Sequence, residues 1–431
     1  MKTKYTVKCL GTGEVLSDDN LPLANPNCGK PAFLRAEYAK KQIEVGDDSL
    51  GLYKFADWLP IQRTLEGSGA PVTYRSEGLA RILGLGNLYI TFNGYWPEKR
   101  ARMMTGTFKE CEAYSVCARM PQEFKNILVV ASVGNTSRAF ARVCSANNIP
   151  LVVVVPERNI DSMWFSEEIN SCVKLIAAGG DSDYFDAIHL SGMLCDQEGF
   201  IPEGGAKNIA RRDGMGTTVL SAVTTIGEIP DYYFQAIGSG TGSIAAWEAN
   251  LRLIEDGRFG KKKMKLLVSQ NAPFLLVHDS WKRGTRELVA LDSEIAREYS
   301  DIMLAQVLSN RKPPYGIIGG LFDAFSDTDG DVIPVTNEEA LEGADLFEKN
   351  EGSDVSPAAA VAVGSLVKAV REKRIEPDSV IMLNITGGGY SRLKKENTIH
   401  YLKPSRIIDR HDVTEESAAK LAQDIKGEIY G

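Results

Sequence analysis

Short, continuous apolar runs separated by helical segments are the feature of this sequence that most constrains its fold. Ile127–Ala131 (ILVVA) and 151–155 (LVVVV) have no polar face, and similar runs occur at 173–177, 232–237, 264–269 and 380–385. Strands that are apolar on both sides are typical of parallel sheets with helices on both faces. The segment 136–147, between the first two runs, has a helical pattern. We therefore predict an α/β fold with parallel or mixed sheets covered by helices.

Both ends of the chain differ from this central pattern. The first 60 residues are rich in turn-forming residues and include a polar stretch at 36–43 that favours a helix. Cys9 and Cys28 each stand alone where a small zinc ribbon has a pair of thiols, and two thiolates cannot complete a four-ligand zinc site. We therefore predict no metal there. The tail 412–430 predicts a surface helix, with Asp412 and Glu415 at capping-box spacing.

The composition excludes several classes of protein. The chain has 431 residues, enough for two or three domains, and 49 basic against 57 acidic side chains give a net charge of −8. An acidic balance does not favour nucleic acid or anionic membranes as partners. No apolar run approaches the roughly 20 residues that span a bilayer, and the first ten residues contain no apolar secretory core. Seven cysteines, an odd and low count, indicate reduced thiols. These features predict a cytoplasmic enzyme.

Four short segments have residue types that suit chemistry. The loop 238–243 (GSGTGS) joins a predicted strand to a predicted helix, an arrangement that can hold a phosphate at free backbone N–H groups. The loop 132–137 (SVGNTS) offers small polar groups in the same setting, and Thr386 with three following glycines ends another strand. Lys109 follows a Gly-Thr-Phe turn at a predicted helix start (110–120), where the positive helix end lowers the pKa of an amine. Each segment alone also has an ordinary explanation as a turn, a helix cap or an exposed lysine, and for the loop 132–137 and for Lys109 the residues alone favour that explanation.

In combination and in this order, the four segments resemble the threonine synthase branch of the fold-type II pyridoxal phosphate enzymes, the tryptophan synthase β-like family. The resemblance covers about residues 69–391 and includes 87–90 (NLYI), 208–217 (NIARRDGMGT), 335–340 (VTNEEA) and 355–358 (VSPA). It implies that the N-terminal extension is a degenerate zinc-ribbon-like segment. It also implies a large cofactor-binding domain (61–109 and 209–410), a small mobile domain (110–208), an extension at 1–60 and a C-terminal helix at 411–431.

The resemblance also implies the roles of individual residues. Lys109 binds the cofactor, pyridoxal 5'-phosphate, covalently and acts as the catalytic base. The cofactor phosphate is bound by Gly238, Ser239, Gly240, Thr241 and Gly242. Asn135 contacts the ring hydroxyl and Thr386 the pyridine nitrogen. Ser132 and Thr136 bind the substrate carboxylate or phosphate, and Arg211 binds the substrate phosphate. A hydroxyl at the ring nitrogen does not enforce its protonation, which suits β-elimination and replacement.

The sequence departs from threonine synthases between the strand and the lysine, where a lengthened segment carries Lys99, Arg100 and Arg102. The whole pattern is similar to members of this branch that replace the phosphate of O-phospho-L-serine with sulfite, giving L-cysteate for coenzyme M biosynthesis. Because both reactants are anions, Arg100 or Arg102 could face the anion site or be exposed to solvent. The alternatives are a threonine synthase acting on O-phosphohomoserine, addition of sulfide, and a non-catalytic anion-binding α/β protein. A homo-oligomer is expected.

Overall fold

The predicted α/β architecture is confirmed in a computed structural model, which describes residues 4–132 and 134–431. Within those residues the larger sheet has six strands, all parallel except the last, which is antiparallel to its neighbour. Their order is Asp331–Val335, Lys265–Asn271, Tyr232–Ala236, Val380–Ile385, Asn87–Phe92 and Val72–Arg75. The smaller sheet is parallel, in the order Phe200–Pro202, Ile127–Ala131, Leu151–Pro156, Val173–Gly179 and Arg406–Asp409.

Helices pack against both sheets. They extend over Gly78–Leu83, Lys109–Arg119, Asn135–Ala146, Tyr184–Cys195, Ile209–Ile226, Thr241–Asp256, Leu276–Lys282, Ser293–Ile302, Leu321–Thr328, Asn337–Glu351, Pro357–Arg371, Tyr390–Glu396 and Glu415–Tyr430. Two short antiparallel pairs, Tyr95–Trp96 with Ala101–Arg102 and Trp164–Phe165 with His400–Tyr401, lie outside the main sheets. In the part of the chain described, no helix is both long and apolar enough to cross a membrane.

The six apolar runs are all strands, because their side chains are buried on both faces of a sheet. Ile127–Ala131 and Val380–Ile385 begin and end where predicted, and the other four runs differ by one or two residues at one or both ends. The predicted helix at 136–147 is Asn135–Ala146, and the one at 110–120 begins at Lys109 itself. The strand at Asp331–Val335 was missed in the sequence, since its first residue is acidic and its fourth is proline.

The prediction of a helix at 36–43 is wrong. Leu34–Tyr38 is a strand that pairs with Tyr5–Cys9 in a three-stranded antiparallel sheet. Leu34, Ala36 and Tyr38 are buried while the residues between them are not, which is the two-residue period of a strand with one covered face. Residues 4–132 and 134–431 contain no cluster of three or more His, Cys, Asp or Glu side chains able to hold a metal ion. The zinc-ribbon likeness stays a prediction.

The C-terminal helix is Glu415–Tyr430, and the predicted cap at Asp412 is wrong. Thr414 is the capping residue: its hydroxyl accepts from the Ser417 N–H at 3.1 Å, and the Ser417 hydroxyl accepts from the Thr414 N–H at 2.9 Å. One face of the helix is buried with the strands of the smaller sheet, through Leu421, Ala422 and Ile425. Strand Arg406–Asp409 joins the same sheet. The domain limits stay a prediction.

The topology brings several strand ends to one place. Ser132 follows Ile127–Ala131, Glu203 follows Phe200–Pro202, Gly238 follows Tyr232–Ala236, and Thr386 follows Val380–Ile385. These four residues come from both sheets, and all four line the same cavity. Ligands in open α/β sheets bind at the carboxyl ends of the strands, so this cavity is where a functional site is expected.

Candidate active site

One cavity of about 680 Å³ contains every residue to which the family resemblance assigns a role in the site. Those residues come from segments as far apart as 109 and 386 in the chain. The cavity is lined by Lys109, Ser132, Asn135, Thr136, Arg211, Gly238, Ser239, Gly240, Thr241, Gly242 and Thr386. Because all four segments meet in one cavity, four unrelated turns or caps do not explain them. The roles predicted for the individual residues stay predictions.

Lys109 is the first residue of its helix, and its side chain is 19% exposed. Burial lowers the pKa of the amine, and Glu112, whose Oε2 lies 3.3 Å from Nζ, acts in the opposite direction. The turn before the lysine is fixed to the loop after Val380–Ile385: the Phe108 N–H donates to the Thr386 carbonyl at 3.0 Å. An amine with a lowered pKa is more often neutral, as a nucleophile or base requires.

The glycine loop forms the start of the helix Thr241–Asp256. Gly240 is the N-cap with φ +72°, and a Cβ there would lie 2.5 Å from a methyl group of Leu321. The hydroxyls of Ser239 and Thr241 are 2.8 Å apart. The first N–H groups of a helix have no partner within the helix and carry a partial positive charge. This end of the cavity can therefore bind an anion without a charged side chain.

The segment around Asn135 also meets the cavity at a helix start; Val133, within it, lies outside the described residues. Gly134 caps the helix Asn135–Ala146, and among the described residues no side chain makes a capping hydrogen bond there. The alternative in which Asn135 or Thr136 serves only as a cap is therefore wrong. Ser132 Oγ accepts from the Gly134 N–H at 3.2 Å. The Thr136 hydroxyl donates to Glu112 Oε1 at 3.0 Å.

Arg211 lies between two buried carboxylates. Its Nη2 is 3.0 Å from Glu112 Oε1, and its Nη1 donates to Glu203 Oε1. The arginine is on the helix Ile209–Ile226, which packs closely on the lysine helix: a Cβ at Gly214 would lie 2.3 Å from the Cys111 carbonyl oxygen. Burial acts to lower the pKa of Arg211, but the two carboxylates outweigh it and the pKa is raised. The guanidinium is therefore a permanent cation.

Three residues of the site were missed in the sequence. Glu112 lies one helical turn after Lys109, a spacing that places both on one helix face and could have identified it. Glu203 directly follows the short strand Phe200–Pro202, which has only three residues and gives little signal. Tyr184 lines the cavity, and burial raises the pKa of its phenol. Nothing local in the sequence identifies Tyr184.

The hypothesis that Arg100 or Arg102 faces the anion site is wrong. Neither lines the cavity, Arg102 is exposed, and the Arg100 side chain is 85% exposed and lies 3.8 Å from the Asp48 carboxylate. Both are on or beside the short pair Tyr95–Trp96 and Ala101–Arg102, which holds the lengthened segment at the surface. The cations that line the cavity are Lys109, Lys207, Arg211 and Lys312.

Comparisons with known proteins agree with this geometry. The family model described as "Pyridoxal-phosphate dependent enzyme" matches residues 77–387. The chain is similar to the cysteate synthase of Methanosarcina acetivorans, with 45% identity over 95% of this chain and 98% of the relative. It is also similar to the cysteate synthase of Methanocella paludicola, with 46% identity over 97% of both chains.

Solved structures that share the fold are more distant in sequence. Maize serine racemase is 16% identical, with a TM-score of 0.55 over 76% of this chain and 92% of that one. Threonine deaminase isoform 2 of Solanum lycopersicum is 17% identical, with a TM-score of 0.56 over 75% and 81% of the two chains. At these identities the likeness shows the fold alone. By its match to the family model and its identity to these relatives over nearly their whole length, the chain belongs to the pyridoxal-phosphate dependent enzymes and, among them, to the cysteate synthase family.

Proposed function

We propose that this protein replaces the phosphate of O-phospho-L-serine with sulfite, giving L-cysteate and inorganic phosphate. The observation that carries the proposal is that a single cavity contains a buried lysine, a glycine loop at a helix start and a buried arginine. The reaction needs a reactive amine and two places for anions, one for the cofactor and one for the reactants. The relatives named cysteate synthase, at 45% identity over 95% of the chain, support the choice of reaction.

The residues present fit pyridoxal phosphate. The aldehyde of the cofactor needs an amine, which Lys109 offers, and its phosphate needs N–H donors, which the loop 238–242 offers. The positive φ of Gly240, with Leu321 where a Cβ would be, leaves a cradle that only glycine forms without strain. Asn135 and Thr386 have the amide and hydroxyl expected at the ring hydroxyl and ring nitrogen. When bound, the cofactor supplies an electron sink for a carbanion at the substrate Cα.

The residues of the chain supply proton transfer and binding. Lys109 Nζ, once released, takes the proton from Cα and later returns it, and its lowered pKa keeps it competent as a base. The Thr386 hydroxyl is a neutral partner, so it does not force a proton onto the ring. Arg211 and Thr136 orient the anionic group of the substrate. In the net reaction the Cβ–O bond breaks with departure of phosphate, and a Cβ–S bond to sulfite forms.

Product analysis tests the proposal. Purified protein with pyridoxal phosphate, O-phosphoserine and ³⁵S-labelled sulfite is expected to form labelled cysteate and one equivalent of phosphate. Omitting either substrate should abolish the labelled product. If the enzyme releases phosphate only from O-phosphohomoserine and forms threonine, or forms cysteine from sulfide and no cysteate from sulfite, the proposal is wrong.

The alternatives have less support. Threonine formation is not favoured, since the relatives at 43–46% identity are named cysteate synthases. A non-catalytic anion-binding protein is not favoured, because the chain belongs to a family of enzymes. The remaining expectations stay proposals: a role in coenzyme M biosynthesis, a homo-oligomer, action in the cytoplasm, and closure of residues 110–208 over the cavity.

A further inference from the structure

Glu112 is a fully buried carboxylate next to the cavity that the proposed reaction does not use. It is 0% exposed and is itself not part of the cavity wall. The three groups that it contacts do line the cavity: Lys109 Nζ at 3.3 Å, the Thr136 hydroxyl at 3.0 Å and Arg211 Nη2 at 3.0 Å. A buried carboxylate needs such partners, because its charge is costly to leave unpaired. Glu112 therefore holds three donors that face the site.

Two of these donors, Thr136 and Arg211, are the ones expected to bind an anionic group of the substrate. A threonine hydroxyl has one proton, and that of Thr136 is donated to Glu112. Arg211 is held at Nη2 by Glu112 and at Nη1 by Glu203. Its Nε, also buried, has no hydrogen-bond partner among the described residues, nor has Glu203 Oε2. The Nε–H thus has no partner among those residues, while Nη1 and Nη2 each contact a carboxylate.

We propose that Glu112 is a positioning residue that competes with the anions of the reaction for Arg211 and Thr136, so that phosphate is released and sulfite can enter at the same place. This inference rests on the proposed function. Arg211 is shared between Glu112 at Nη2 and Glu203 at Nη1, so an arriving phosphate competes with carboxylates that already contact the terminal nitrogens of the guanidinium. When the phosphate leaves Cβ, Glu112 takes the donors back and lowers the affinity for the departing ion.

The proposal requires that Arg211 stays in place without Glu112. Glu203 holds the opposite edge of the guanidinium, and the close packing of Gly214 on Cys111 fixes the helix that carries it. Removing the charge of Glu112 should then free Arg211 Nη2 in its present position and remove a negative charge that repels phosphate. A residue with a merely structural role would have the reverse effect, because its loss would weaken anion binding.

The test is the affinity of the cofactor-loaded enzyme for inorganic phosphate, measured by titration calorimetry and as product inhibition against O-phosphoserine. Glu112→Gln is expected to bind phosphate about tenfold more tightly, the equivalent of one charged hydrogen bond. Glu112→Asp shortens the side chain and should give a smaller change in the same direction, which keeps the test available if the first variant does not fold. Unchanged or weaker phosphate binding in the folded variants overturns the proposal.

Glu110→Gln is the matched control. Glu110 is on the same helix, is 1% exposed and pairs with Arg142 at 3.3 Å, and neither residue lines the cavity. Its phosphate affinity should stay within about twofold of the wild type. A tightening as large as that of Glu112→Gln would mean that any lost buried charge has this effect, and would overturn the proposal. Failure of the wild type to make cysteate would instead contradict the proposed function, whatever the phosphate titration gives.

Discussion

The two ends of the cavity are suited to anions by different means. The loop 238–242 has no ionisable side chain and relies on backbone N–H groups at the start of Thr241–Asp256. The other end relies on the guanidinium of Arg211, which is paired with Glu112 and Glu203. In the exchange proposed for Glu112, an anion at Arg211 displaces a carboxylate, whereas an anion at the loop displaces none. The difference suits a cofactor phosphate that stays bound and reactants that must exchange.

Lys109 lines the same cavity as both ends, and its loss is expected to have the largest effect. Lys109→Ala should lower kcat by about 1,000-fold or more, since it removes the amine that we propose for both covalent attachment and proton transfer. The visible absorption of the bound cofactor should also be lost. Lys261→Ala, at an exposed lysine, is the control and should behave as the wild type. Borohydride trapping of the cofactor on a different side chain would contradict the assignment.

Arg211→Ala tests whether the two ends of the cavity bind their anions independently. Truncating one partner of a buried, hydrogen-bonded charge pair costs about 2 kcal/mol or more, so KM for O-phosphoserine should rise about thirtyfold. The dissociation constant of pyridoxal phosphate should not change, because the glycine loop is untouched. Steady-state kinetics and cofactor titration measure the two quantities on the same preparation. Equal losses in both would show that the ends are not independent.

Gly240→Ala is the reciprocal change. A left-handed backbone costs a non-glycine residue about 1–2 kcal/mol, and the added Cβ would meet Leu321, so the cofactor dissociation constant should rise about tenfold. KM for O-phosphoserine should change little at saturating cofactor. Gly257→Ala is the control: it has φ +80° at the other end of the same helix, with no atom within 4 Å of the added Cβ. If it weakens cofactor binding equally, helix stability and not the cradle explains the result.

The loop end was more predictable from sequence than the arginine end. A run such as GSGTGS at 238–243 between a strand and a helix specifies a local geometry, because glycine and helix-start N–H groups act within a few residues. The strands were also predictable from local sequence, because their continuous apolar runs indicate burial on both faces of a sheet. These features depend on neighbours in the chain, and the structure places them as expected.

The arginine end depends on contacts between distant segments. Glu112 and Arg211 meet because Gly214 lets two helices approach, and Glu203 joins them from the end of a three-residue strand. No local pattern in the sequence encodes the close approach of these two helices. The error over Arg100 has the same origin: positive charge near the lysine in sequence suggested the anion site, but a short strand pair holds that segment at the surface.

The smallest expected effect concerns the pH at which Lys109 captures the cofactor. Only the neutral amine adds to an aldehyde, so capture by cofactor-free protein should accelerate as pH rises towards the pKa of Lys109, which burial lowers. Glu112 stabilises the ammonium form and raises that pKa. Glu112→Gln should therefore shift the profile to lower pH and make capture at pH 7 about threefold faster, equivalent to about 0.7 kcal/mol for the 3.3 Å contact between the amine and the buried carboxylate.

Stopped-flow growth of the visible cofactor band across pH measures this shift, with Glu110→Gln as the control that keeps the contact between Lys109 and Glu112. A profile that moves to higher pH would mean that the carboxylate does not stabilise the ammonium form of Lys109. An unmoved profile together with tighter phosphate binding would show that Glu112 acts on Arg211 and Thr136 alone. In that case the exchange of anions at Arg211 would not depend on Lys109, although Glu112 lies 3.3 Å from its amine. The two ends of the cavity would then differ in the arginine and its carboxylates alone.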